Sequence, residues 1–361
     1  MKGVAAKIYS WALLALFLAG SVAVLAFAWG NLGDLVKAVC GIFLSVVFAP
    51  AFHELGHVAF GAAAGLKTVY CKFFCFAYLR KDGKGKIRFA NPFADDETQV
   101  IPVQSGDMQN RFARYALGGL VLGGVYLALV FAGATLLSAF GRTNFLLWGM
   151  LPYALYLVAF NAVPAEYPSG KTDMLVYRGL KKGYDSERAM AAALETQALL
   201  YEGKTFADMQ KSDLFGLPVL PDDDPVKALL VELQYRFLLE TEDYAGAYDV
   251  LNRWVDMQEY LSAQSYDSLA IELAYFDLLH GSLDGLSDAK EVLGDSLGGS
   301  AAGYRALALD AFSRGAQPDM QAFLEKARAQ LAKEEIAGLK KHEEILLSRM
   351  ETALTAQGSI V

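Results

Sequence analysis

The chain has 361 residues, 54% of them hydrophobic, with a formal net charge of −8. Residues 1–185 carry 17 Lys and Arg against 10 Asp and Glu, whereas residues 186–361 carry 15 against 30. Basic residues beside apolar runs and an acidic second half argue against a nucleic-acid-binding protein. They indicate a membrane domain, 1–185, joined to a soluble domain, 186–361. Three cysteines, Cys40, Cys71 and Cys75, imply no disulfide framework.

The first apolar run is "IYSWALLALFLAGSVAVLAFAW", residues 8–29, preceded by Lys2 and Lys7. Its length of about 22 residues exceeds the apolar core of a signal peptide, so a retained span is predicted. The second run extends from Leu35 to Ala64 and contains "FAPAFHELGHVAF". Pro50 is expected to kink that helix or to loosen its hydrogen-bond ladder.

A polar stretch, residues 65–111, follows. In "TVYCKFFCFAYLRKDGKGKIRFANPF" β-rich runs flank a turn, which predicts a hairpin or small sheet turning at Asp82–Gly85. Cys71 and Cys75 fall in one predicted strand, as free thiols packed like small apolar groups. The third run is residues 112–140, whose Gly118, Gly119, Gly123 and Gly124 allow close helix contact. The fourth is residues 145–164. Trp29, Trp148 and Tyr167 fit interfacial anchors.

The 65–111 loop carries eight Lys and Arg, against Lys37 and Arg142 in the other connections. The positive-inside rule then puts this loop, the N-terminus and the segment bearing Arg178, Lys181 and Lys182 in the cytoplasm. The expected location is a multi-pass protein of a plasma membrane, bacterial in type, with a cytoplasmic C-terminal domain.

From residue 186 the pattern is helical and amphipathic. "PVLPDDDP", residues 218–225, reads as a linker or cap. "PVKALLVELQYRFLLETEDYAGAYDVLNRWVDM" reads as two antiparallel helices joined near "ETEDYAG", with related junctions at "GSLDGLSDAKEVL" and "RGAQPDMQAFLEKARAQL". Ala247, Ala289 and Ala322 begin the second helices, 42 and 33 positions apart. Tetratricopeptide-like hairpins and a plain helical bundle both fit that spacing. The fold class expected is therefore mostly α: about four spans with a small β-rich loop, then an α-helical domain.

The chemistry sits in "HELGH". On a helix, His53 and His57 share a face and can present both imidazoles to one metal, with Glu54 beside them to take a proton from an activated water. These ligand types favour Zn²⁺. The competing reading, two histidines packed near a helix end, is weak inside so apolar a segment. His280 and His342, in the acidic half, read as solvated or core histidines. A catalytic zinc needs a third protein ligand, and the end of the fourth run, "FNAVPAEYPSGKTDMLVYRGL", offers Glu166 and Asp173.

An HExxH helix inside a span, then a later span ending in Asn-x-x-Pro followed by an aspartate, resembles the site-2 protease family of intramembrane zinc metalloproteases. The resemblance covers roughly residues 30–180. It implies His53, His57 and Asp173 as zinc ligands, Glu54 as general base, and Asn161 as a group that steadies the substrate backbone or the oxyanion. Capping the end of the fourth span is the structural alternative for Asn161. The family aspartate falls about eight residues after that asparagine, which here is Ser169. Asp173 requires a four-residue insertion and has Met174 in place of the usual glycine; Glu166 is the reserve ligand. The third run also has "LGGL" where the family often has Gly-Pro and a later Asn, so the substrate groove differs.

The expected function is an intramembrane zinc metalloendopeptidase cleaving membrane-spanning or hydrophobic peptides near the cytoplasmic side of the bilayer, in regulated proteolysis. Its partners would be those substrates and a protein recruited by the helical domain. The alternatives are a proteolytically inactive relative that binds membrane helices as an adaptor, and a membrane-anchored helical scaffold with "HELGH" incidental.

Overall fold

The computed structural model describes residues 1–361 except 82–83, 93–95, 168–169, 262, 280–293, 295–298 and 359–361. Asp82 of the predicted turn, Ser169, His280 and the whole "GSLDGLSDAKEVL" junction, Ala289 included, thus lie outside the described residues. The chain is mostly helical and forms two compact units, Met1–Ala191 and Ala192–Val361.

The first unit opens with α1 (Val4–Ala28) and α2 (Leu32–Ala63). Asn31 ends the short connection because its Oδ1 accepts hydrogen bonds from the Gly33 and Asp34 amides, 2.8 and 3.2 Å, and so caps α2. Helix α2 continues through Pro50, whose ring has no N–H to give the ladder of that turn. Pro50 is buried, and one turn earlier Ser45 donates to the Met150 carbonyl at 2.6 Å, tying that stretch to a neighbouring helix. A sheet follows: β1 (Leu66–Phe73), β2 (Phe76–Lys81), β3 (Lys84–Phe89) and β4 (Glu97–Pro102). Then come α3 (Met108–Ala139), α4 (Phe145–Ala162), the short strands β5 (Glu166–Tyr167) and β6 (Gly170–Lys171), and α5 (Asp173–Lys182). Helices α1 to α4 are each long and apolar enough to cross a membrane, as expected of a membrane protein.

Small residues set how closely these helices approach. A Cβ on Gly56 of α2 would lie 2.2 Å from the Gly118 carbonyl oxygen of α3, and one on Gly41 would lie 2.1 Å from the Leu146 carbonyl oxygen of α4. Without hydrophobic force between helices in lipid, such backbone contact is a main source of association.

The sheet is antiparallel in the order β3-β2-β1-β4, so β4 and β3 are its outer strands. Lys81 pairs with Lys84, which closes the hairpin foreseen in "RKDGKGK". Cys75 is not in a strand with Cys71. It lies in the β1–β2 turn, where Phe74 adopts a positive φ of 50° and its amide donates to Asp96 Oδ1 at 2.8 Å. All three cysteines are free. The Phe74 ring meets Phe43 of α2 at 6.5 Å. Phe43 precedes His53 by ten residues, about 15 Å of helix. This end of the sheet therefore runs alongside the apolar helix α2, past the histidines.

Helix α6 (Asp185–Tyr201) begins in the first unit, because Glu187 pairs with Lys171 at 2.6 Å and Ala191 packs with Ala113 and Leu180. The second unit continues with α7 (Lys211–Phe215), α8 (Pro225–Glu240), α9 (Tyr244–Val255), α10 (Ala263–Leu279), α11 (Ala301–Ser313), α12 (Gln317–Leu331) and α13 (Ala337–Gly358). Asp224 caps α8 by accepting from the Val226 amide at 2.9 Å, with Pro225 at the first helical position. Helices α8 and α9 are joined at the "ETEDYAG" junction, and α12 begins within "RGAQPDM". His342 is a core residue, fully buried 3.5 Å from Glu240 and edge-on to Phe206.

Candidate metal centre

His53 and His57 lie one helical turn apart on α2, and both rings are buried with their Nε2 atoms 3.3 Å apart. Asp173, the first residue of α5, reaches both: Oδ2 is 3.2 Å from His53 Nε2 and Oδ1 is 3.4 Å from His57 Nε2. Among the described residues, these three form the one group of His, Cys, Asp or Glu donors close enough to hold an ion together, all within 4.8 Å of one another.

Each donor is held from behind. His57 Nδ1 is 3.0 Å from the Tyr115 carbonyl of α3, so Nδ1 carries the proton, donates it there, and leaves the Nε2 lone pair facing Asp173. His53 donates a hydrogen bond to the backbone carbonyl of Gly119. Asp173 is anchored by its neighbour: Thr172 Oγ1 donates to the Val163 carbonyl at 2.8 Å and accepts from the Ala165 amide at 3.0 Å. That latch fastens the start of α5 to the residues that leave α4.

The donor set fits a tetrahedral zinc with one position left open. Two imidazoles and a carboxylate are a catalytic ligand set. Asp173 Oδ2 is buried without a hydrogen-bond partner, which is costly for a carboxylate unless something positive shares the site. Gly119 contributes through what it lacks. A Cβ there would lie 2.4 Å from His57 Nε2 and 2.7 Å from His53 Cε1, so only glycine leaves the imidazole edges clear.

Glu54 points from α2 toward the sheet. It is 5% exposed, and its Oε2 accepts a hydrogen bond from Thr98 Oγ1 of β4 at 2.6 Å. Thr98 in turn pairs in register with Cys71 of β1. Burial pushes the Cys71 thiol up, against the opposing Thr98 hydroxyl, so it stays neutral beside the site.

Of the residues singled out in the sequence, His53, Glu54, His57 and Asp173 come together. Glu166 does not join them: it lies on β5, paired with Lys2 at 2.6 Å. Asn161 turns back on its own helix and donates from Nδ2 to the Leu157 carbonyl at 3.3 Å. Thr98, Tyr115 and Thr172 had no signal in the sequence, since their contacts join segments far apart in the chain. Gly119 had a partial one, as a residue of close helix contact. No protein-family model, no curated protein and no solved structure matches the chain, so its functional reading rests on the geometry of this centre.

Proposed function

We propose that the chain is an intramembrane zinc metalloendopeptidase of site-2 protease type, acting on membrane-spanning or hydrophobic peptides. The observation that carries the reading is the convergence of Asp173 with His53 and His57, beside Glu54, on a helix apolar enough to span a bilayer. His53, His57 and Asp173 would hold the ion. Zinc, when bound, lowers the pKa of water to about 7 and polarises a carbonyl as a Lewis acid.

The other tasks belong to the chain. Glu54 takes a proton from the attacking water and returns it to the leaving amine. Its burial excludes competing solvent. The outer strand β4 runs past Glu54, and an extended peptide lying along it would bring its carbonyls to the carboxylate. The charge asymmetry of the loops supports a cytoplasmic face for the centre and for the helical unit, which would recruit a protein partner.

The test is zinc content of detergent-purified protein together with cleavage of a single-span reporter in proteoliposomes. About one zinc per chain is expected, lost in His53→Ala and Asp173→Ala and kept in Glu166→Ala. Glu54→Gln should keep the zinc and lose cleavage by roughly 10²- to 10⁴-fold. A wild type that takes up no zinc after loading at neutral pH sinks the proposal. Zinc binding without cleavage that depends on Glu54 would leave a membrane-helix adaptor instead.

A further inference from the structure

Glu54 is buried, but its side chain has three rotatable bonds, and its carboxylate keeps one orientation best when something holds one of its oxygens. What holds it is the Thr98 hydroxyl, 2.6 Å from Oε2. Thr98 is itself fixed. The Tyr115 hydroxyl donates to the Thr98 carbonyl at 2.5 Å, and β4 is laddered to β1 on both sides of it. Tyr115 also belongs to the metal centre, since its own carbonyl accepts from His57 Nδ1. Its ring lies against the His57 imidazole, centroids 4.9 Å apart. The connections thus form a closed path: Glu54 to Thr98, Thr98 to Tyr115, Tyr115 to His57, and His57 back along one turn of α2.

We propose that Thr98 is the positioning residue for Glu54, and that Thr98 and Tyr115 together form a strut that keeps the carboxylate in register with the His57 ligand. This rests on the protease reading above. With Oε2 occupied by the hydroxyl, Oε1 is the oxygen left to face the reacting water. The strut crosses from sheet to helix, so the base is set by β4 and not by α2 alone. Loss of the hydroxyl leaves the carboxylate present and the zinc ligands intact, but frees the carboxylate to rotate away from its working orientation.

Two measurements on the full chain test this. The first is kinetic, on the reporter in proteoliposomes. Thr98→Val, which removes the donor at nearly constant shape, should lower kcat roughly ten- to a hundredfold, with KM and zinc content unchanged. Thr98→Ser should recover most of the rate. A merely structural role would move zinc content or folding, and serine would not rescue it. The second needs no activity. The infrared carboxylate band isolated by subtracting Glu54→Gln from wild type should shift in Thr98→Val and stay in place in Thr98→Ser.

An unshifted band in Thr98→Val, or a shifted band with undiminished kcat, overturns the positioning role. Undiminished cleavage in Glu54→Gln overturns the protease reading instead, so the two failures are separable.

Discussion

Gly119 shows how a missing side chain can matter as much as a present one. With a would-be Cβ 2.4 Å from His57 Nε2, Gly119→Ala must displace an imidazole or the whole of α3. The expected outcome is at least a tenfold loss of zinc affinity, measured by competition with a chelator. Gly124→Ala on the same helix, with open space at its Cβ, should bind zinc as wild type does. At this scale His53, Glu54 and His57 were legible because the helical repeat puts i and i+4 on one face. Asp173 was legible only through the Asn-x-x-Pro resemblance and the helix start in "TDMLVYRGL". Glu166 has the same donor chemistry, and spacing alone could not separate the two. The structure separates them by neighbours: Lys2 for Glu166, two imidazoles for Asp173.

Among the elements, the four apolar runs and the β2–β3 hairpin could be read directly, because each declares itself through local pattern and turn residues. Strand β4, "ETQVIP", could not. It lies apart from the hairpin, and its partner β1 is about 25 residues back, so the pairing is a tertiary event. The Thr172 latch was hidden for the same reason, since its acceptor and donor belong to Val163 and Ala165. Thr172→Val removes both hydrogen bonds and frees the start of α5. Zinc affinity should then fall roughly 10- to 100-fold, as for other supports of a ligand, with Thr172→Ser close to wild type. Equal affinities across the series, read by the same chelator competition, would mean that packing alone holds Asp173.

For the molecule as a whole, the second unit has a core of its own, and it is ionic as well as apolar. Arg305 is fully buried, 3.0 Å from Glu272 and 3.3 Å from Glu343, with its guanidinium 4.0 Å above the Tyr275 ring. Burial would raise the Glu272 carboxyl, but Arg305 and Arg236 outweigh it and hold Glu272 below the usual carboxylate range. Glu240 is held low in the same way, by His342 against burial. A depressed carboxyl stabilises the fold above its unfolded value, near 4.5, and that stability is lost as pH falls through the folded value. Hydrogen exchange in α10, α11 and α13 of the full chain should therefore accelerate on acidification below about pH 4.5. Arg305→Met, which strands Glu272, should cost about 3–5 kcal/mol in the same helices and leave α2 to α4 protected. The latch on Asp173 has a consequence in time. His57 and Asp173 are 116 residues apart, so at about 5–20 residues per second the ribosome delivers Asp173 roughly 6–23 s after His57. Until α4 is inserted and α5 is fastened to its end, the nascent chain offers a metal two imidazoles without the Asp173 carboxylate. Under the proposed function, a chain assembled in this order would be inert throughout its own insertion, and its first competent moment would coincide with completion of the membrane domain.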